Sequence, residues 1–342
     1  MEKYDILSMN LPELQAVIQE MGEPKFRASQ IYRWLHVRKV QSFSEMTDIS
    51  TKIRDELESS FCIKSLFVSR KLASCLDDTV KYLYRLPDGQ HVETVLMHYH
   101  HGWRLCISTQ VGCKMGCQFC ASTIAGYVRN LTPSEMLLQI DETERQSGVT
   151  ISGIVLMGIG EPMDNFNNVM RFLELLSDES GRRMSLRHVT ISTCGVVPKI
   201  RELADKKTGI TLAVSLHHPS DEGRSAVMPV NRRWNLKELM EACQYFFTVT
   251  GRRVTFEYAV MEGENDSRND AKALADLLKG QQAHVNLIPV NSVKERNFHA
   301  TRQAAISFQK KLESLGVHAT VRRTLGSDIE AACGQLRHDA EQ

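Results

Sequence analysis

The chain has 342 residues, of which 42% are hydrophobic and 24% are charged, and its formal net charge at pH 7 is +1. These values are typical of a folded globular protein and exclude a largely disordered chain. The small net charge means that any nucleic-acid-binding surface must rest on local basic clusters. No apolar run approaches the about 20 residues that a membrane span needs, and the N-terminus lacks the features of a signal peptide, so we expect a cytoplasmic protein without membrane association.

The first 65 residues are predicted to form a small helical domain. Apolar residues recur at helical spacing in LPELQAVIQEMG and in FRASQIYRWLH, on either side of a Gly-Glu-Pro break. The second segment carries a basic run, which consists of Lys25, Arg27, Arg33, His36, Arg38 and Lys39. Such a run is either an ordinary solvated helix face or a surface for RNA phosphates, and the run alone leaves both interpretations open.

Residues 66–102 are predicted to form a β-hairpin that connects this domain to the rest of the chain. The segment VKYLYRLPDGQHVETVLM alternates apolar and polar residues on either side of a Pro-Asp-Gly turn. Alternation of this kind around a turn sequence is typical of two antiparallel strands.

Residues 103–342 alternate short β-branched runs with amphipathic helical segments. Six such βα units and a seventh strand predict an α/β fold, which we interpret as a partial (β/α)6 TIM-like barrel, with an open doubly wound sheet as the alternative. The predicted strands are RLCISTQV, SGIVLMG, RHVTISTC, TLAVSLH, RVTFEYAV, HVNLIPV and HATVRRT. Barrel sites lie at the C-terminal ends of the strands, and the motifs described next follow these strands.

The most informative motif is a set of three cysteines directly after the first barrel strand. Cys113, Cys117 and Cys120 have the spacing C-x3-C-x2-C, and the chain has nine cysteines in all, an odd number that favours metal or catalytic thiols over disulfides. A [4Fe–4S] cluster usually takes four cysteine ligands, so three would leave one iron open to chelate S-adenosylmethionine (SAM). A zinc site with a fourth ligand such as Cys106 is the alternative.

Several motifs together resemble one known family. STQVGCKMGCQFCAST, MGIGEP, ISTCGVVP, SLHHP, LIPVN and GSDIEAACGQL resemble the RlmN-type radical SAM enzymes, which methylate carbon 2 of an adenine in RNA. The resemblance runs in order over nearly the whole chain and includes FRASQIYRWLH. The Cfr-type carbon-8 enzymes are close relatives, but Pro162 and the segment CGVVP favour the carbon-2 branch.

The resemblance also implies which residues bind SAM. Gly160 and Glu161 would hold the methionine amino end. The other implied contacts are Ser192, Ser215, Leu216, His217 and Asn291. Ser192, Ser215, His217 and Asn291 could each equally be a helix cap or a turn residue, but their shared position at strand ends supports one common site.

Three further residues are implied to make the enzyme a methyltransferase. Cys333 would take a methyl group from a first SAM, because a thiolate can attack the sulfonium whereas the electron-poor adenine carbon cannot. A deoxyadenosyl radical from a second SAM would then remove hydrogen from the S-methyl group, and the methylene radical would add to the adenine. Cys106 would resolve the resulting protein–RNA thioether and leave a transient disulfide with Cys333. Glu93 matches the proton acceptor, although Cys106 is an alternative acceptor.

The substrates and partners also follow from the resemblance. They would be an adenosine in the peptidyl transferase centre of 23S rRNA and the adenosine beside the tRNA anticodon, each extruded from its stack. Arg322, Arg323 and the N-terminal basic helix would meet phosphates. We expect a monomer and an electron donor such as flavodoxin or ferredoxin. The alternatives of another class are a radical SAM activase, which needs no Cys106–Cys333 pair, and a non-catalytic, zinc-stabilised RNA-binding module.

Overall fold

The computed structural model describes residues 3–291, 295, 297–331 and 334–336, and it begins with a helical N-terminal unit. A capping box starts the first helix, because the Asn10 side chain accepts from the Glu13 backbone N–H while the Glu13 carboxylate accepts from that of Asn10. The elements of this unit are β1 (Tyr4–Asp5), α1 (Leu11–Glu20), α2 (Lys25–His36), α3 (Thr51–Ser60) and β2 (Phe61–Cys62). Its buried apolar residues join those of the following sheet in one core.

The basic run on and after α2 is only partly a surface. His36 is buried, and the Lys39 ammonium lies 3.2 Å from the carboxylate of Asp141 in the adjoining part of the chain. Lys25, Arg33 and Arg38 are exposed. The basic run is therefore not exposed throughout, because His36 and Lys39 pack against the rest of the chain.

Within the described residues the main sheet has ten strands. They are β3 (Phe67–Ala73), β4 (Val80–Arg85), β5 (His91–Tyr99), β6 (Gly102–Cys106), β9 (Ile151–Leu156), β10 (Val189–Thr193), β11 (Thr211–Ser215), β12 (Val254–Val260), β13 (Ala283–Pro289) and β14 (Ala319–Val321). Their order in the sheet is β14-β13-β12-β11-β10-β9-β6-β5-β4-β3, so β14 and β3 form the two edges. Neighbouring strands of this sheet from β6 to β14 run parallel, as the repeated βα pattern predicts. The partial α/β barrel is confirmed.

The strands of the barrel alternate with helices whose apolar faces contribute to the same core. These helices are α4 (Pro133–Ser147), α5 (Phe166–Ser177), α6 (Val197–Asp205), α7 (Asp221–Val227), α8 (Leu236–Thr250), α9 (Arg268–Leu277) and α10 (Arg302–Glu313). A separate two-stranded sheet, β7 (Gln110–Gly112) and β8 (Tyr127–Asn130), lies between β6 and α4. In the described part of the chain, every helix is too short or too polar to cross a bilayer.

The segment predicted as a connecting hairpin is built into the barrel sheet. β3, β4 and β5 pair antiparallel with one another, and β5 pairs antiparallel with β6, the first parallel strand. Gly102 has a φ of 112° at the turn between β5 and β6, a conformation that favours glycine. Because Val95 lies opposite Cys106 in this pairing, the predicted catalytic residues Glu93 and Cys106 lie on neighbouring strands.

Candidate active site

The three cysteines lie in the loop between β7 and β8, here called the cluster loop (residues 113–126). The backbone N–H of Cys113 donates to the carbonyl of Gly126 at 3.1 Å and closes the base of this loop. A second bond of 3.2 Å, from the Cys120 N–H to the Cys117 carbonyl, forms a tight turn. Burial raises the pKa of the Cys113 thiol to about 12 and raises that of Cys117, so the free thiols are protonated and metal binding has to displace protons.

Cys113, Cys117 and Cys120 all line one cavity, here called the cofactor cavity, with about 950 Å³ of space. Cysteine thiolates are the usual ligands of iron–sulfur clusters. In a cubane each cysteine binds a different iron atom, so the ligands surround the group rather than converge on one point. The donor set therefore fits a [4Fe–4S] cluster held by three cysteines.

Most of the predicted SAM-binding residues also line the cofactor cavity. They are Gly160, Glu161, Ser192, Ser215 and His217. Leu216 is fully buried, and its backbone N–H donates to the Glu257 carbonyl at 2.9 Å. Asn291 lines a neighbouring cavity instead. The strand ends thus gather five of the seven predicted contacts around one space.

Glu161 is held rigidly in a buried position. Its carboxylate accepts hydrogen bonds from the backbone N–H of Met163 at 3.0 Å and of Cys194 at 2.7 Å. Burial raises its pKa, and these N–H donors oppose that effect by stabilising the anion. The close packing explains Gly160, where a Cβ atom would lie 2.6 Å from the Gln110 side chain. A fixed, buried carboxylate of this kind can accept a hydrogen bond from an ammonium group.

His217 enters the cofactor cavity as a neutral ring. Burial, with Arg224 nearby, lowers its pKa to about 3. Its Nδ1 accepts from the backbone N–H of Ala259 at 2.9 Å, which leaves the ring proton on Nε2. The Phe119 ring of the cluster loop meets this imidazole edge to face, with the ring centroids 4.7 Å apart. His217 can therefore donate one hydrogen bond without carrying charge.

A second cavity of about 520 Å³ adjoins the first and contains Cys106, so it is here called the Cys106 cavity. Met157, Ile288 and Arg322 line both cavities. Arg323 lines the Cys106 cavity as well, and because it is exposed it stays a candidate for phosphate contact. The buried Cys106 thiol is thus one cavity away from the cluster loop.

The predicted methyl carrier, Cys333, lies outside the described residues. The described residues on each side of it in the sequence line the two cavities: Ala331 lines the Cys106 cavity and Gly334 lines the cofactor cavity. The Gly334 carbonyl accepts from the backbone N–H of Ala121, and the Leu336 carbonyl accepts from the Ser122 hydroxyl at 2.8 Å. The C-terminal segment is therefore bonded to the cluster loop.

Glu93 is buried on β5 and forms an ion pair that the sequence does not reveal. Its carboxylate lies 2.9 Å from the ammonium of Lys81 on β4. The nearby cation stabilises the charged carboxylate and opposes the effect of burial. Since side chains alternate along a strand, Glu93 lies on the same face of β5 as Val95 and Met97, which line the Cys106 cavity.

Sequence reasoning missed three residues near these cavities. Lys81 gives no signal, because it lies in a strand whose alternation makes it look like a surface residue. Cys194 and Glu257 both line the cofactor cavity. The position of Cys194 after a strand, and the single carboxylate of Glu257 within the apolar run VTFEYAV, were signals that could have identified them. Burial raises the pKa of Glu257, with Arg322 and a hydrogen bond from Asn286 opposing it.

Comparisons with known proteins place the chain in one family. The model of the Radical SAM superfamily matches residues 107–278, and that of the Ribosomal RNA large subunit methyltransferase N-terminal domain matches residues 4–63. A relative from Lachnospira eligens, described as "Probable dual-specificity RNA methyltransferase RlmN", is 50% identical over 335 residues, which cover 98% of this chain and 96% of the relative. A relative of the same description from Alkaliphilus oremlandii is 49% identical over 338 residues, or 98% of each chain. The crystal structure of a radical SAM methyltransferase from Sphaerobacter thermophilus has a TM-score of 0.93 and 40% identity, and the match covers 98% of this chain and 100% of that one.

Proposed function

The chain belongs to the RlmN family of radical SAM RNA methyltransferases, and we propose that it methylates carbon 2 of a specific adenosine in 23S rRNA and of the adenosine beside the anticodon in tRNAs. The observation that carries this proposal is the pair of adjoining cavities. One is lined by the three cluster cysteines and the other by Cys106, and the residues flanking Cys333 line one cavity each. The relatives' description as dual-specificity enzymes supports two RNA substrates.

Each residue of the site has one task in the proposed reaction. Cys113, Cys117 and Cys120 would hold a [4Fe–4S] cluster with one open iron, and that cluster would supply the electron for cleavage of SAM to methionine and a deoxyadenosyl radical. Glu161 accepts a hydrogen bond from the amino group of SAM. Ser192, Ser215, His217 and Asn291 hold the rest of the molecule.

The methyl group passes through Cys333 in this proposal. The Cys333 thiolate attacks the methyl carbon of a first SAM and displaces S-adenosylhomocysteine as the leaving group. The deoxyadenosyl radical from a second SAM takes a hydrogen atom from this S-methyl group and becomes 5′-deoxyadenosine. The S-methylene radical adds to adenine carbon 2. The adduct then loses the carbon-2 proton, which Glu93 accepts, and one electron, which would return to the oxidised cluster.

Cys106 ends the reaction in this proposal. Its thiolate attacks the sulfur of Cys333 and breaks the bond between sulfur and the methylene carbon. The released carbon takes up a proton and becomes the new methyl group, and a Cys106–Cys333 disulfide remains. A two-electron reductant must then reduce this disulfide, and an electron donor such as flavodoxin or ferredoxin must supply the single electron for SAM cleavage.

RNA binding is assigned to the N-terminal unit, residues 1–65, which we treat as a domain. The catalytic part consists of the predicted barrel region, residues 103–342, together with residues 66–102, whose strands join the same sheet and carry Lys81 and Glu93. Lys25, Arg33 and Arg38 present exposed cations there. The description of the model that matches residues 4–63, a methyltransferase N-terminal domain acting with ribosomal RNA, supports this assignment. We propose that the enzyme acts as a monomer.

The experiment that tests the proposal identifies the modified nucleoside. Anaerobically reconstituted protein is incubated with reductant, methyl-deuterated SAM, and 23S rRNA or tRNA that lacks the modification, and the RNA is digested for mass spectrometry. We expect deuterated 2-methyladenosine and, in parallel, 5′-deoxyadenosine and methionine. 8-Methyladenosine would instead establish the Cfr-type reaction. Protein that never cleaves SAM would contradict both reactions and favour the metal-stabilised binding module, while cleavage without any methylated RNA would favour an activase.

A further inference from the structure

One buried ammonium joins Glu93 to the segment that precedes Cys333. Lys81 is only 7% exposed, and a buried lysine is unfavourable unless its charge is paired and its donors are used. Its Nζ lies 2.9 Å from Glu93 Oε1 and donates to the backbone carbonyl of Glu330 at 3.2 Å. A strand residue and a loop residue of the C-terminal segment are therefore held by the same side chain.

The segment that Lys81 contacts, residues 326–331, has a constrained backbone. Glu330 has a φ of 50°, which is uncommon for a residue with a side chain and persists only where the surroundings hold it. The N–H of Ala331 donates back to the Gly326 carbonyl at 3.0 Å. The turn before β4 holds the same segment, since Asp77 accepts from the Gly326 N–H at 3.1 Å and Asp328 accepts from the Ser74 hydroxyl at 2.7 Å.

We propose that Lys81 is a positioning residue for the methyl transfer, and that it keeps the Glu93 carboxylate at a set place relative to the loop that carries Cys333. This inference rests on the proposed function. The adenine to be deprotonated is covalently attached through Cys333, so the proton acceptor has to keep its spacing to that loop rather than to the cofactor alone. The ammonium of Lys81 does this directly, because it bonds to both parts.

The test compares Lys81→Met, which keeps the length of the side chain but removes the charge, with Lys81→Arg, which keeps the charge and the donors. Glu93→Gln is the reference, and Lys71→Met on the exposed strand β3 is the matched control. Iron content, S-methylation of Cys333, methylated adenosine and covalent protein–RNA adduct are measured for each. We expect Lys81→Met to retain iron and the methylated cysteine, to lose at least about 100-fold in RNA methylation, as removal of a general base does, and to accumulate adduct.

Two further measurements separate positioning from a general structural role. Lys81→Arg should recover most of the activity, and Lys81→Met combined with Glu93→Gln should be no slower than Glu93→Gln alone, because Lys81 acts through Glu93. In the protein without RNA, amide hydrogen exchange of residues 326–331 should be faster in Lys81→Met than in wild type or Lys71→Met.

Three outcomes would overturn the role of Lys81. They are RNA methylation by Lys81→Met within about twofold of wild type, multiplicative losses in the double variant, and equal losses in Lys81→Arg and Lys81→Met. If Lys81→Met fails to fold, the activity of Lys81→Arg still decides the question. Failure of the proposed function is distinguishable, because wild-type protein would then form no 2-methyladenosine, whereas failure of this inference leaves the wild-type product intact.

Discussion

The backbone N–H of Ala121 donates a hydrogen bond of 2.7 Å to the carbonyl of Gly334. Ala121 directly follows the third cysteine of the cluster loop, and Gly334 directly follows Cys333 in the sequence. The residues that flank Cys333 in the sequence are thus bonded to the cluster loop on one side and, through Lys81 and Glu330, to the strand of Glu93 on the other. The proposed chemistry requires the carrier to meet the radical source, the proton acceptor and Cys106 in turn, and these bonds keep the segment beside all of them.

Removing the hydrogen bond between Ser122, the residue after Ala121, and the C-terminal segment should slow RNA methylation without loss of the cluster. Ser122→Ala removes the buried hydrogen bond to the Leu336 carbonyl, which contributes about 1 kcal/mol. We expect iron content to stay at the wild-type level and the rate of RNA methylation to fall by roughly 3- to 10-fold, since about 1.4 kcal/mol corresponds to a factor of ten. The control is Ser147→Ala, which removes a hydroxyl bond within α4. Equal rates for both variants would contradict this coupling.

Iron content should distinguish the three cluster ligands from the fourth cysteine of the cofactor cavity. Cys194 lines that cavity too, but it follows β10 rather than lying in the cluster loop, and its backbone N–H donates to the Glu161 carboxylate. We expect Cys194→Ala to bind four irons per chain, as cubane clusters do, whereas Cys117→Ala should bind almost none. Iron and sulfide analysis of reconstituted protein measures this. A Cys194→Ala protein that cannot assemble the cluster would show that Cys194 is a ligand and that the cubane has no open iron.

The parts of the site that could be predicted from sequence are those encoded locally. The spacing of Cys113, Cys117 and Cys120 is carried by one loop, and the polar residues at strand ends meet because parallel strands present their carboxyl ends at one side of a barrel. These relationships need no knowledge of packing.

The parts that could not be predicted depend on long-range pairing. Lys81 meets Glu93 only because β4 pairs with β5, and it meets Glu330 only because a segment almost 250 residues later folds back onto the hairpin. His36 looks like a member of a basic surface, yet it is buried by the docking of α2 onto the barrel. In neither case does the local pattern of charge and hydrophobicity contain the partner.

The buried His36 should make the fold sensitive to mild acid. It is 1% exposed, and burial, together with Arg182, lowers its pKa from 6.5 to about 3, with Asp141 opposing. As the pH falls, the unfolded chain therefore takes up this proton before the folded chain does. The contribution of His36 to the free energy of unfolding is complete above pH 6.5 and is lost as the pH falls toward 3. The loss is on the order of 5 kcal/mol over the whole range and about 2 kcal/mol at pH 5.

His36→Phe should remove this dependence, because it keeps a ring against Tyr32 without a titrating group. Urea unfolding at pH 7.5 and pH 5.0 measures the difference in stability. We expect the two midpoints to lie closer together in His36→Phe than in wild type, whereas the exposed control His188→Gln should behave like wild type. The same midpoint shift in all three proteins would show that another group causes the acid sensitivity.

Exposed arginines of the N-terminal unit should contribute to RNA affinity through phosphate contacts. Arg33 and Arg38 are both exposed, and the Arg38 guanidinium lies over the Trp34 ring at 3.9 Å. The double variant Arg33→Gln/Arg38→Gln should bind tRNA more weakly. In a plot of log binding constant against log salt concentration, the magnitude of its slope should be smaller by about 2, or about one for each lost phosphate contact. Filter binding at several salt concentrations gives this slope. Lys272→Gln on α9 is the control, and an unchanged slope in the double variant would place the RNA elsewhere.

Removal of Cys106 should trap the enzyme on its substrate. Without the Cys106 thiolate, nothing in the proposed sequence breaks the bond between the Cys333 sulfur and the methylene carbon, so each chain can react once. We therefore expect Cys106→Ala to form a covalent protein–RNA adduct that survives reducing agent, because a thioether is not reduced by thiols. We also expect its turnover to fall at least about 1,000-fold, as it does when a catalytic nucleophile is removed.

The matched control is Cys243→Ala, which removes a buried thiol on α8 away from both cavities and should turn over normally. The adduct must disappear in Cys106→Ala/Cys333→Ala, since its protein atom is the Cys333 sulfur. Normal turnover by Cys106→Ala, or adduct formed without Cys333, would be incompatible with a cysteine-carried methyl group.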